Sequence, residues 1–325
     1  HKLGGSWNSE WIDNKYFTEN APRVLAKTGP HMDFLQEIGM TENDFQEIYG
    51  TLFDTTMKVF YFIKKFFTIL DYFIFTTESL LYKLRPKNML LQDWMNNSHL
   101  SDDAKKCLRI ISITICDTPK NTNHHDFFGS LGLTEMVQMK EPNRWLDLLE
   151  DYFNSINNIT IYKNTTVNSI DGNNNRVNKV TCVNNNNTIN INANNIVLCT
   201  QSDAIYNILK DSNYKVQNNW NSLSRIKQWS EDTHYNGLGF QLHFSEKIEF
   251  PNEWCWSCIT DWNIIILPVS DWLKTYTKDN KIQTVWSCCI VDMESKSSRI
   301  NKSPNECNKE ELIDELLFQL NDNYK

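Results

Sequence analysis

The pattern of apolar and polar positions changes character along the chain. From about Met32 to Leu108, apolar residues recur at three- and four-residue spacing, the period of helices with one buried face. Phe60, Ile63, Phe67, Leu70 and Ile74 give the clearest stripe, within residues 59–75, VFYFIKKFFTILDYFIF. Lys64, Lys65 and Asp71 interrupt that segment, and no unbroken apolar run reaches the ~20 residues that cross a bilayer. The spacing predicts an amphipathic helix that packs into a core, walls a substrate pocket or rests on a membrane surface, and not a transmembrane span.

A helix over residues 146–153 follows Pro142-Asn143-Arg144-Trp145, and the period then changes to two. Ile159, Ile161 and Val167 mark a strand and its continuation, residues 177–183 a second and residues 188–191 a third, with turns at Asp171-Gly172-Asn173 and residues 184–187. That order predicts a β-meander. Ile196-Val197-Leu198-Cys199 reads as a strand buried on both faces, leading through Thr200-Gln201-Ser202-Asp203 into a helix with Ala204, Ile205, Ile208 and Leu209. A polar turn there sets N–H groups at the strand's carboxyl end, where α/β folds bind ligands. Strands are expected at residues 240–244, 254–259, 264–269 and 284–291, and an acidic helix at 309–320. Residues 3–30 are loop-like with short extended pieces.

At 325 residues the chain can bury a large core or divide into two lobes. A net charge of -8 and the lack of a sustained basic face argue against a nucleic-acid partner. Nine scattered cysteines suit a reducing, cytoplasmic compartment better than a secreted disulfide scaffold. Cys255, Cys258, Cys288 and Cys289 read as buried thiols rather than zinc ligands, because the second pair is adjacent. The Asn-x-Ser/Thr match at Asn158-Ile159-Thr160 follows from the abundance of asparagine. The sequence opens on His rather than Met, which leaves room for an upstream segment and a targeting signal. His124, His125 and Asp126 lie in a polar stretch and read as a solvated loop. Trp254, Trp256, Trp262, Trp272 and Trp286 read as core or the boundary between lobes, with an aromatic substrate wall as the alternative.

Leu3-Gly4-Gly5-Ser6-Trp7, Asp13-Asn14-Lys15-Tyr16-Phe17 and Ala21-Pro22-Arg23-Val24-Leu25 resemble the segment after the second strand of the FAD-dependent amine oxidase and phytoene desaturase superfamily. Residues 158–209 are similar to that family's return to its FAD domain: a strand ending in a valine over the adenine, here Val167, a meander, then an apolar strand ending in Thr200-Gln201. The resemblance implies a mixed α/β (α+β) fold, with an incomplete Rossmann-like FAD domain at residues 1–30 and 140–212. It would be interleaved with a substrate domain of helices and a mixed sheet at 31–139 and 213–325. It further implies FAD as cofactor, held by Gly4, Gly5, Ser6, Trp7, Ala21, Pro22, Arg23, Val24, Val167, Thr200 and Gln201.

Several family features are missing. The opening strand with its G-x-G-x-x-G turn, and the closing flavin-contacting segment, do not occur, so the chain is expected to be a fragment lacking both. Gly237-Leu238-Gly239 lacks the third glycine. Ser6 replaces an arginine that contacts phosphate in the family, and Arg23 is the candidate to compensate. No lysine occupies residues 239–244, which points away from amine oxidation and towards an apolar substrate. Glu19, in the loop that would face the flavin, could steer a cation or cap a turn. The implied chemistry is hydride transfer from a small, apolar or amine substrate to the flavin, with no universal catalytic acid or base. The alternative is a non-catalytic relative that keeps the fold as a binding or scaffolding module. Peripheral membrane contact is compatible with either, and the oligomeric state is left open.

Overall fold

A computed structural model describes residues 3–13, 15–17, 24–49, 63–115, 117–131, 135–173, 176–213, 217, 223–232, 237–249 and 260–323. Gly5–Trp7 form one turn of 3-10 helix, followed by a hairpin of β1 (Trp11–Ile12) and β2 (Tyr16–Phe17). Next come β3 (Val24–Ala26), α1 (Pro30–Glu37) and β4 (Phe45–Tyr49). Pro30 starts α1 at the position where its missing N–H costs nothing. Four helices follow: α2 (Ile69–Leu81), α3 (Leu91–Asn97), α4 (Asp102–Ile115) and α5 (His124–Ser130). The segment closes with β5 (Met136–Met139) and α6 (Arg144–Ser155). β5 lies between β3 and β4, antiparallel to both. Val137 and Met139 of β5 bury against Met32 and Leu35 of α1, with Leu148 and Leu149 of α6 alongside.

The helical stripe expected through Leu70 breaks its phase. Ile63 and Phe67 are buried, but Leu70 is 57% exposed. The reason is local: residues 65–66 form a turn, and Thr68 caps a new helix whose register is set by Asp71. The face that α2 turns inward carries Tyr72, Phe75 and the buried acids Asp71 and Glu78.

The meander forms from β6 (Thr165–Asn173), β7 (Arg176–Asn184) and β8 (Asn187–Asn192), antiparallel in that order, but Ile159 and Ile161 lie before its first strand, and Asp171-Gly172-Asn173, expected as a turn, end β6. Asn185 and Asn186 take φ values of 46 and 64°, the left-handed pair that a two-residue hairpin turn needs and asparagine tolerates. α7 (Ser202–Lys210) and α8 (Leu223–Asp232) complete this part, with Ile170, Ile208, Leu209 and Ile226 as its core. The Ile170 N–H donates to Ser212 Oγ at 2.9 Å.

Residues 196–199 correct the sequence reading. They lie outside any strand, and Val197 is 81% exposed. A strand buried on both faces needs sheet neighbours and covering layers, and the meander supplies neither: its strands are antiparallel hairpin partners.

The last part contains β9 (Leu238–Phe244), β10 (Ile264–Leu267), α9 (Val269–Trp272), β11 (Thr284–Ile290) and α10 (Lys309–Asn323). β11 lies between β10 and β9. Trp262, Ile264, Ile266, Trp286 and Ile290 bury against Leu316 and Leu320 of α10. Trp262, Trp272 and Trp286 are thus core residues, while Trp254 and Trp256 lie outside the described residues, as do Cys255 and Cys258.

The fold is mixed helix with small antiparallel sheets, and every strand pair among the described residues is antiparallel. The chain divides into two compact units, His1–Leu3 with Ile156–Tyr235, and Gly4–Ser155 with Asn236–Lys325. The sequence division had breaks after residues 30, 139 and 212. In the structure the Gly-Gly turn belongs to one unit, and the meander with Thr200 and Gln201 to the other. No helix among the described residues is long and apolar enough to cross a membrane.

Candidate functional site

The Gly-Gly turn is docked on the amino end of α6. Gly4 has φ +108°, and a Cβ there would stand 2.5 Å from Leu146 Cδ1, so both its backbone and its packing demand glycine. Gly5, at φ +50°, would direct a Cβ into open space. Beyond the turn, Trp7 meets Trp145 edge to face, with ring centroids 5.8 Å apart. The Ser9 N–H donates to Asn143 Oδ1 at 2.9 Å, and Asn143 Nδ2 donates back to Ser9 O at 2.6 Å. A reciprocal amide clamp of this kind fixes a loop that has little secondary structure of its own.

This docking borders an open cavity of about 250 Å³. Gly4 and Trp7 line it from the turn, Leu25 from β3, His31, Phe34 and Leu35 from α1, Met139 from β5 and Trp145 from α6. The lining is apolar and aromatic. Trp145 Nε1 is buried with no hydrogen-bond acceptor among the described residues, so Trp145 contributes its apolar ring to the wall. Among the described residues His31 is the one ionisable side chain in the lining, and its Nε2 lies 2.8 Å from Ala26 O.

These residues suit part of an FAD. Small-molecule sites commonly span roughly 300–1,000 Å³, so this cavity takes one flat ring system and not a whole dinucleotide. The apolar and aromatic lining fits an uncharged flat ring. Among the described residues no lysine or arginine lines the cavity to meet a pyrophosphate.

The residues expected to hold FAD fall in three places. Gly4, Gly5, Ser6 and Trp7 share one turn, with Gly4 and Trp7 on the cavity wall. Ala21, Pro22, Arg23 and Glu19 lie outside the described residues, and Val24 opens β3. Val167 is an exposed residue of β6, and Gln201 is the N-cap residue of α7, preceded by an exposed Thr200, all in the other unit. Sequence reasoning missed His31, Phe34 and Trp145 as lining. The one available signal was Trp145 in the Pro142-Asn143-Arg144-Trp145 segment, read only as the approach to a helix.

A second polar cluster corrects the solvated-loop reading of His124. His124 is fully buried at the start of α5, with Nε2 2.9 Å from Glu78 Oε1. Arg85 donates to the same carboxylate twice, from Nε at 2.8 Å and from its terminal nitrogen at 2.6 Å. Burial pushes the imidazole of His124 below its ordinary value, against the opposing charge of Glu78. Burial alone would raise Glu78, but Arg85, with His124 and Trp94, holds its carboxyl below the usual range. This is a structural pin between α2 and α5 rather than a reaction centre, because aromatic rings of Trp94 and Phe128 cover His124. A polar pocket of about 320 Å³ between α4 and the segment after β11 is neutralised internally, Arg109 pairing with Asp292 and Lys120 with Glu294.

Neither a scan against known protein families nor a search of curated proteins finds a match to this chain.

Proposed function

We propose that this chain belongs to an FAD-dependent oxidoreductase similar to the amine oxidases and phytoene desaturases, acting in a reducing, cytoplasmic setting on a small apolar or amine substrate. The observation that carries the reading is the apolar, aromatic cavity that Gly4 borders and whose wall includes Trp7 and Trp145. A bound flavin supplies the hydride acceptor. The chain's own residues would hold the ring by apolar and aromatic contact, from Trp7, Phe34, Met139 and Trp145. Arg23 is the residue proposed to meet the phosphates, and Val167, Thr200 and Gln201 those proposed for the adenosine end.

One specific observation favours a second reading, a binding module without catalysis. Among the described residues the cavity holds no ionisable side chain except His31, which is engaged with Ala26 O, and the described strands form no parallel sheet.

Titration of the protein with riboflavin and with FAD, followed by tryptophan emission, tests the ring site. Both should quench, and Phe34→Ala, which removes one aromatic wall of the cavity, should weaken riboflavin binding about tenfold, near 1.4 kcal/mol. Absence of quenching by either compound, in a protein that is folded by circular dichroism, would remove the flavin reading.

A further inference from the structure

Helix α2 turns its two acids inward and leaves several large apolar residues on its outer face. Ile69, Phe73 and Leu80 fall on one face at spacings of four and seven, and are 91%, 69% and 77% exposed. Leu70 and Leu81 flank that face, and Leu84, 80% exposed, continues it past the helix end. The two acids of the helix are turned away. Asp71 accepts hydrogen bonds from Thr68 and Ser101, and Glu78 is held by Arg85 beside His124.

Along this stretch of chain the exposed charge is of one sign, and exposed acids Asp93, Asp102 and Asp103 begin only on the helices that follow. Between Ile63 and Gln92 the sequence holds two acids, Asp71 and Glu78, both buried, whereas Lys64, Lys65, Lys83, Arg85 and Lys87 are exposed. The lysines stand at both ends of the apolar face, in a chain whose net charge is -8. A protein partner for such a face would need apolar surface framed by acid. An anionic bilayer supplies both over any area, with acyl chains beneath a plane of negative headgroups. Lysines at the rim can keep their ammonium groups among the headgroups while their stems follow the apolar residues inward.

We infer that α2 is a monotopic membrane-docking helix, lying flat on an anionic lipid surface with Ile69, Phe73, Leu80 and Leu84 inserted and Lys64, Lys83 and Lys87 at the headgroups. The inference is independent of the flavin reading, because lipid binding needs no cofactor and can be measured on the colourless protein.

Flotation of the full chain with phosphatidylcholine vesicles, with and without phosphatidylserine, tests it. The protein should float with the anionic vesicles, bind the neutral ones at least about tenfold more weakly, and come off at high salt. Phe73→Asp with Leu80→Asp should abolish flotation. Lys83→Gln with Lys87→Gln, which leaves the apolar face intact, should weaken binding to anionic vesicles about tenfold and leave neutral vesicles unchanged. Equal binding to both vesicle types, or unaltered binding by the lysine variant, overturns the inference. So does a dimer in sedimentation that Phe73→Asp dissociates while the unaltered protein ignores vesicles, an outcome that would assign the face to a second copy of the chain.

Discussion

Glu78 and His124 show how one residue pair can set the acid limb of stability. Above the ordinary histidine value of 6.5, His124 is neutral whether folded or not. Below it, the unfolded chain takes up a proton that the buried imidazole resists, so stability falls as pH falls. Glu78, held below its ordinary 4.5, adds a loss in the same direction at lower pH, as its carboxylate is forced to protonate. His243, also lowered by burial, titrates in the histidine window too. The melting temperature should therefore drop between pH 7 and pH 5.5, and His124→Gln should reduce that slope without removing it. An unchanged slope would mean that His124 does not resist its proton. None of this was legible in the sequence, where His124 sits among asparagines and histidine; what buries it is the fold of α5 against α2, a contact 46 residues away. Gly4 was legible as a glycine the backbone needs, but its partner Leu146 was not, because that contact forms only when the turn meets α6.

At the scale of elements, α2 carries the sharpest lesson about periodicity. Its stripe was visible and its phase was misjudged: the count ran through residues 65–66, whereas the capping box at Thr68 starts a new register. Spacing alone also cannot say that acids lie inward, since that depends on Ser101 and Arg85 arriving from elsewhere. Asp71→Ala should then cost about 2–4 kcal/mol, stranding donors of both Thr68 and Ser101, while Thr68→Ala costs about 1 kcal/mol. Leu80→Asp, on the exposed face, should stay within about 0.5 kcal/mol. Urea midpoints of the three variants check the order, and a large loss for Leu80→Asp would show that this face is covered. The second hairpin of the meander, by contrast, was readable nearly to the residue, because Asn185 and Asn186 mark a turn whose left-handed geometry few other residues accept, whereas the first strand was begun too early, at Ile159.

Across the whole molecule, composition anticipated a mixed fold of two units but not where they divide. The apolar run at residues 196–199 suggested a buried parallel strand, and it misled because apolar content does not by itself provide sheet neighbours. The cavity beside the Gly-Gly turn joins residues from Gly4 to Trp145, and only the fold brings β3, α1, β5 and α6 around it. The flavin reading rests on that assembly, so the most direct measurement is the visible absorption spectrum of the purified protein after incubation with FAD and removal of free cofactor. The account predicts a retained flavin spectrum that bleaches without oxygen when an apolar or amine substrate is supplied. A folded protein that emerges colourless, with no flavin released on denaturation, would contradict it.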